Sequence, residues 1–456
     1  MLDSPQPGTP KWWLKRLDTE LANRLPEMNL YRDLVDDVHA LPESVETSQK
    51  FRRMAGLATT NLTGLAVEAT AERMNVEGIR IGDEPDADKG VWDDIWQRSD
   101  FDAGSQEAIT AALVYSRSFI SVTPPNGDRP ARLSYEDPRQ VVLAYTPEGE
   151  RAAALKVFTD EWTGDTFGTL YLPGVVAKMV RQRSPFGGDS QWMLRQVDQS
   201  VIANPFGEVP FFELRNRLTG ATRSEVAPLV IPQRLLNQTI FNLQALDDFG
   251  SFRQKWAAGI EVPRDPVTGA PVAPYEAHVS KLWVAEGADA KFGDFAATDL
   301  RPTIEWAREI AAHISRLSRV PITYFLSNIS NLGGDALALL ISGLVLKCQR
   351  RVKGYEPAFE GSIRLALRSM GDPRANAANI EAKWAEMETR SMAQSADAAL
   401  KLTSSADPVI TPQTAQEKFL GMSQTERDRD DAWRREGRAT SNLSAILTAA
   451  GAAPLP

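Results

Sequence analysis

The stretch from Arg223 to Val320 limits the folds open to this chain more than any other, because it reads as a helix, a β-rich excursion and a returning helix. In the first limb, Ser224 to about Phe249, the residues Leu229, Leu236, Ile240 and Leu243 recur at helical spacing, and Asp247, Asp248 and Gly250 close it. In the second, Asp299 is the expected N-cap, and Ile304, Ala307, Ile310, Ala311, Ile314 and Leu317 form one apolar stripe. Arg301, Glu305, Arg308, Glu309 and Arg316 stay off that stripe. Val320-Pro321 ends the limb, since the residue before a proline is pushed out of the α region. At about 1.5 Å per residue each limb reaches roughly 30–40 Å. The intervening residues, 251–299, are rich in Pro, Gly and Val, which predicts a small β-hairpin module held away from the body.

Length and charge bound the rest. A chain of 456 residues is long for one domain and suggests two to four units. A net charge of −9 supplies no global basic field for nucleic acid or an anionic membrane. The single cysteine, Cys348, excludes an intrachain disulfide. Met1 to Pro10 lacks the basic-then-apolar pattern of a secretory signal. The longest uncharged apolar stretch, Ala336 to Leu346, falls far short of the ~20 residues a membrane span needs. The expectation is a soluble, intracellular protein without membrane contact.

Taken in order, Thr9-Pro10 predicts a cap and first turn, followed by Trp13, Leu14, Leu17, Leu21 and Leu25 on one helical face. A second helix is expected from about Leu30 to Leu41 and a third from about Ser48 to Met74, leading into a strand at Ile79 to Ile81. Asp83 to Asp102 is acidic; Asp86 and Asp88 lack the glycine-pinned loop of a Ca²⁺ site and read as a solvated turn. Trp92 and Trp96 read as packing residues of a short helix. Short strands follow, including Ser118–Val122, Val141–Ala144, Ala152–Thr159 and Val175–Val180, with hairpin turns at Asn126-Gly127 and around Gly187-Gly188. This is a β-rich segment of an α+β body.

Beyond the central stretch, Ile322 to Asp335 is a polar, Gly-bearing loop, and Asp335 is the expected cap of a helix from Ala336 to about Arg368. Leu339, Leu340, Leu344 and Leu346 are its apolar residues and Lys347, Arg350, Arg351 and Lys353 its basic ones; Gly354 and Pro357 should kink or break it. The remainder reads as helical, from Glu381 to about Leu402, from Thr411-Pro412 to Gly421, and from the capping-box spacing at Ser423 to Gly437.

The search for chemistry is nearly empty. His39, His278 and His313 are scattered, with no metal-ligand spacing. No phosphate-binding loop, nucleophile elbow, zinc-protease motif or dinucleotide fingerprint occurs. Acidic pairs such as Asp36-Asp37, Asp93-Asp94 and Asp430-Asp431 are expected by chance among 60 Asp and Glu residues. The sequence therefore points to no catalytic, cofactor-binding or metal-binding residue.

The order of features nevertheless resembles the portal proteins of long-tailed bacteriophages, the head-to-tail connectors. The resemblance is carried by Leu65–Ala69 through Val76–Arg80, Ala112–Phe119, Tyr171–Pro173, Gly207–Pro210 through Asn216-Arg217 to Ser224-Glu225, Phe292–Phe295, and the helix-loop-helix around Gly333-Gly334-Asp335. It covers Leu30 to Met370 and is weaker beyond Gly371. One departure is visible: the loop before Asp335 usually holds a Gly-Asn-Pro or Pro-Ser-like turn, and here reads Ser327-Asn328-Ile329-Ser330-Asn331-Leu332.

What the resemblance implies is an α+β portal-type fold and a non-enzymatic ring, typically of twelve subunits, around a DNA channel. Residues 1–222 would be an N-terminal wing, 223–250 and 300–320 the two stem helices, and 251–299 a β-rich clip. Residues 321–371 would form a tunnel loop and a long kinked wing helix, and 372–456 a helical crown. Ser327, Asn328, Ile329, Ser330, Asn331, Leu332, Gly333, Gly334 and Asp335 would line the channel. Asp265, Pro266, Val267, Thr268, Gly269 and Ala270 would form the clip tip. Arg301, Arg308 and Arg316 would face DNA or a neighbouring subunit. Implied partners are further copies of the chain, double-stranded DNA read without sequence specificity, terminase, the head-tail adaptor, and the major capsid protein with its scaffold. The location would be the capsid vertex of the virion, after assembly in the host cytoplasm. The competing classes are a soluble α+β enzyme using carboxylates and a metal, and another capsid or adaptor component. Particle mass separates them: a ring near 600 kDa fits the first, a monomer or dimer the enzyme.

Overall fold

The computed structural model describes residues 6–39, 49–82, 87–182, 191–197, 199–217, 219–251, 255–258, 268, 291–294, 299–326, 334–388, 392–404, 409–420, 422, 426–427 and 429–437. Helix α1 is Pro10–Val35, with the Trp12 N–H donating to Thr9 Oγ1 at 3.4 Å. It runs through Pro26 as one helix where the sequence predicts two. Packing on both sides of the proline holds it: Leu14, Leu17 and Leu21 bury against a sheet, and Met28, Tyr31 and Leu34 bury in the main core. The single helix expected at 48–74 is instead two, α2 (Gln49–Leu57) and α3 (Leu62–Ala71). Asn61 starts α3 by accepting the Gly64 N–H at 2.7 Å, an Asn cap that competes with continued helix.

Strand β1 (Val76–Ile81), the single turn α4 (Lys89–Val91) and a π-helical turn Trp92–Trp96 lead to α5 (Phe101–Tyr115). The π turn stacks Trp92 on Trp96 with centroids 4.9 Å apart, and Trp96 is fully buried against Phe101 and Phe359, so both serve packing as expected. Asp88 pairs with Arg374 and caps α4, which fits the expected turn.

Two antiparallel sheets follow. Strands β2 (Arg117–Thr123) and β3 (Arg132–Glu136) form a hairpin over Asn126-Gly127, and β10 (Phe211–Arg215) adds to the other side of β2. The larger sheet joins β4 (Val141–Tyr145), β5 (Arg151–Thr159), β6 (Thr166–Tyr171), β7 (Val175–Arg181) and β8 (Met193–Leu194) in sequence order, with β9 (Val201–Ala203) also on β7. Its inward residues Val142, Ala153, Leu155, Leu170 and Ala177 meet the first turns of α1. Strand alternation accounts for that face: in β6, Gly168 and Leu170 are buried while Phe167, Thr169 and Tyr171 are not fully so.

Both limbs of the central stretch are helical as the sequence predicts, although the first becomes α-helical only at Val230. A 3₁₀ turn, Ala227–Leu229, enters α6 (Val230–Ser251); β11 (Lys255–Ala258) pairs with β12 (Lys291–Asp294); α7 (Arg301–Ser318) returns against α6. Asp299 lies one residue before the cap position, held by Leu300, and accepts the Arg301 N–H at 3.0 Å. Ile310, Ala311 and Ile314 are buried as expected, but Leu317 is exposed.

Helix α8 (Gly334–Ser369) is continuous, which corrects the predicted kink at Gly354 and Pro357. Leu344, Val345, Cys348, Val352, Tyr355, Phe359 and Ile363 bury along one side on both flanks of the proline. That packing outweighs the missing hydrogen bond. Leu339, Leu340 and Leu346 are exposed, while Lys347 is buried, the reverse of a simple two-sided reading. Asp335 is the second helical residue rather than the cap.

Residues 381–384, expected to be helical, belong to β13 (Ile380–Trp384), antiparallel to β1 with Ile79 opposite Ala382. Ile380 and Ala382 alternate inward, a period-2 signal too short to stand out beside Glu381 and Lys383. Helices α9 (Met392–Thr403) and α10 (Pro412–Lys418) end the described chain's regular elements besides 429–437, and Thr411 caps α10 as expected.

Candidate functional site: the root of the central hairpin

The expected site residues fall into two groups. Ser327 to Gly333 and the clip-tip residues other than Thr268 lie outside the described residues, and Thr268 is exposed. Arg301, Arg308 and Arg316 are exposed on α7. Arg301 pairs with Asp299 at 3.0 Å and Arg316 with Glu309 at 2.7 Å; Arg308 makes no ion pair among the described residues. These pairs are exposed and worth little individually.

The strongest polar constellation lies elsewhere, where both hairpin helices meet the body. Glu225, just ahead of α6, takes the Lys347 ammonium at 3.1 Å and the Arg351 guanidinium at 2.6 and 2.9 Å. Asn216 donates to the same carboxylate at 3.1 Å, and Tyr355 donates to Asn216 Oδ1 at 2.9 Å. Lys347, Arg351 and Tyr355 are spaced by four, so one row of α8 presents all three. Lys347 also donates to Thr70 Oγ1 at 3.2 Å and to the Ser318 carbonyl at 2.9 Å. Ser318 is the last residue of α7, where a cation meets unpaired carbonyls and the negative helix end. Burial pushes the Glu225 carboxyl up, but Lys347 and Arg351 outweigh it and hold it below the usual carboxylate range. Burial drives the Tyr355 hydroxyl far above its ordinary value, so it stays a donor.

A second tie joins α6 to α3. Buried Gln233 accepts from the N–H groups of Leu62 and Thr63 at 3.0 and 3.1 Å and donates to the Thr60 carbonyl at 2.6 Å. It thereby satisfies backbone groups at the start of α3. Sequence reasoning missed both ties, although the i, i+4 pair Lys347 and Arg351 on an otherwise core-facing helix was a usable signal.

Outward from Glu225 opens a polar cleft of about 530 Å³ lined by Arg217, Arg223, Arg319 and Arg350. No group of three or more His, Cys, Asp or Glu among the described residues could hold a metal. No helix among the described residues is long and apolar enough to cross a membrane.

This arrangement, two helices leaving a mixed body, joined by a β-ladder and locked at their root, can be compared with known proteins. The family model described as phage portal protein, SPP1 Gp6-like, matches residues 14–439. The chain belongs to that family. Two portal proteins are similar to it: that of Mycobacterium phage D29, 27% identical over 91% of this chain and 86% of the other, and that of Mycobacterium phage L5, 26% identical over 92% and 87%. Among solved structures, chains from the neck of an empty gene transfer agent particle (C6 symmetry) and of a native one (C12 symmetry) are similar at 12% and 11% identity. They cover 82% and 83% of this chain and 95% of each neck chain, with TM-scores of 0.47 and 0.45. As a member of the portal family, the chain is a structural, non-enzymatic phage component, and the carboxylate-enzyme alternative is set aside.

Proposed function

We propose that this portal-family chain closes into a ring at one capsid vertex and forms the channel through which the genome is packaged and ejected. The observation that carries the reading is the α6–α7 hairpin, rooted on Glu225, Lys347 and Ser318 and bridged at its far end by β11 and β12. In this reading α6 and α7 are stem helices, residues 251–299 the clip, and residues 327–335 the channel-lining tunnel loop. Residues 1–222 are the wing, joined by α8, and residues 372–456 the crown. Terminase docks first and the head-tail adaptor later, while capsid protein and scaffold surround the ring during assembly in the host cytoplasm.

DNA must slide through such a channel, and dense phosphate contacts would hold it by releasing many counterions. A chain of net charge −9 suits a weakly interacting bore. Binding is then weak, independent of sequence and sensitive to salt, with Arg301, Arg308 and Arg316 reading phosphate or a neighbouring subunit. Electron microscopy of the purified chain tests the reading: closed rings are expected, and a monodisperse monomer at moderate salt contradicts it. The division of labour has its own test. Replacing residues 265–273 with a short Gly/Ser turn, in a phage lacking its own portal gene, should leave filled heads and lower the yield of tailed particles. Normal tailing would make the tip an inert loop, and loss of rings would make the clip the driver of oligomerisation.

A further inference from the structure

The cleft beside Glu225 is strongly basic. Six basic side chains line it, Arg217, Arg223, Arg319, Lys347, Arg350 and Arg351, against the single carboxylate of Glu225. Glu225 is already committed to Lys347 and Arg351. Arg217, Arg223, Arg319 and Arg350 are exposed and form no ion pair among the described residues. The chain as a whole carries −9, yet this concave place gathers four arginines without an ion-pair partner among the described residues. Like charges gathered this closely repel one another, and an acidic occupant would relieve that repulsion.

The borders of the cleft say what kind of occupant fits. Pro228 and the exposed Leu317 line it alongside the arginines. Ile231 and Leu346, one turn along α6 and α8 from cleft residues Pro228 and Arg350, are 77% and 65% exposed. Exposed aliphatic side chains beside a charged centre suit a protein surface, which buries them, and gain nothing from a phosphodiester backbone. An acidic chain that repeats around a ring offers such a surface on its own next copy, by a heterologous contact that closes.

We infer that this cleft receives a carboxylate-bearing segment of a neighbouring copy of the chain, so that charge pairing at the hairpin root holds adjacent subunits in register. The inference rests on the ring reading above. Arginine forks pair two-to-two with carboxylates, which fixes orientation as well as attraction. Because the four arginines are solvent-exposed before assembly, the contact also steers encounter and is screened by salt.

The test compares the full-length chain with Arg217→Glu/Arg350→Glu and with the milder Arg217→Gln/Arg350→Gln. Particle mass is followed by mass photometry across a sodium chloride series, and circular dichroism monitors folding. The two sites are exposed and leave the Glu225 cluster intact, so melting should be unchanged. The salt concentration that half-dissociates the wild-type rings should fall by roughly twofold or more in the Gln variant, and the Glu variant should stay largely unassembled. If wild-type rings form and both variants' rings resist salt equally well, the inference is overturned while the ring reading stands. A monomeric wild type overturns both. If the variants assemble normally but lose affinity for a short fluorescent DNA duplex, the cleft holds phosphate and the inference is overturned in that direction.

Discussion

The Lys347 ammonium reaches both the Glu225 carboxylate at 3.1 Å and the final carbonyl of α7, Ser318, at 2.9 Å. One side chain therefore fastens the entry and the exit of the central hairpin to α8. Its stem is almost wholly removed from solvent. Breaking a buried pair leaves an uncompensated charge, which costs about 3–5 kcal/mol. Lys347→Met should lower the unfolding free energy by about 3 kcal/mol, with Arg351 still offsetting part of the Glu225 charge. Chemical denaturation measures it, and a change below about 1 kcal/mol would show that the cluster contributes little.

Acid should act through the same carboxylate. Glu225 titrates below its ordinary range in the folded chain, so the unfolded chain binds its proton first as pH falls. Its stabilisation is complete above about pH 4.3, the ordinary glutamate value, and is lost as pH drops through the lower folded value. Urea titrations of wild type and Glu225→Gln should differ most at pH 7 and converge in acid. A gap that widens toward acid would reverse the assignment.

Glu360 has the opposite sign. Burial, then Glu356 and Glu381 nearby, push its carboxyl upward. Its charged form is disfavoured in the fold, so Glu360→Gln should stabilise the protein at pH 7. That gain should vanish as pH falls through the raised value, where the wild-type group is already neutral. Thermal melts at two pH values read both halves of the expectation.

Two glycines of α8 should respond oppositely to alanine. A Cβ at Gly343 meets nothing within 4 Å, so Gly343→Ala gains helix propensity of about 0.8–1 kcal/mol. A Cβ at Gly361 would lie 2.5 Å from the Phe212 ring, which itself stacks under Arg151. Gly361→Ala should therefore destabilise by about 1–3 kcal/mol through overpacking. Equal effects from the two substitutions would show that β10 yields easily to α8.

Cys348 should be chemically silent. It is fully buried, and burial pushes its thiol up to about 11. A thiol-reactive dye should label the native protein only at the rate of opening and label denatured protein at once.

Much of this architecture was legible in residue patterns. The Ile310, Ala311 and Ile314 stripe marked α7, and Thr411-Pro412 marked α10. Errors arose where tertiary packing overrode local signals: Pro26 and Pro357 sit inside helices because both flanks are buried. Strand β13 was hidden because its identity depends on β1, a remote partner. The Glu225 cluster was hidden for the same reason, since nothing near Glu225 in the chain announces Lys347.

The pairing of β1 with β13 sets a timetable for synthesis. Strand β1 emerges early from the ribosome but lacks its partner until the chain has been extended past Trp384. At ~5–20 residues per second, the ~300 residues between them take roughly 15–60 s to make. During that interval the edge of β1 has no native neighbour, and the hairpin root waits likewise for Lys347 of α8. The β1–β13 ladder can therefore close only when nearly all of the body has been made.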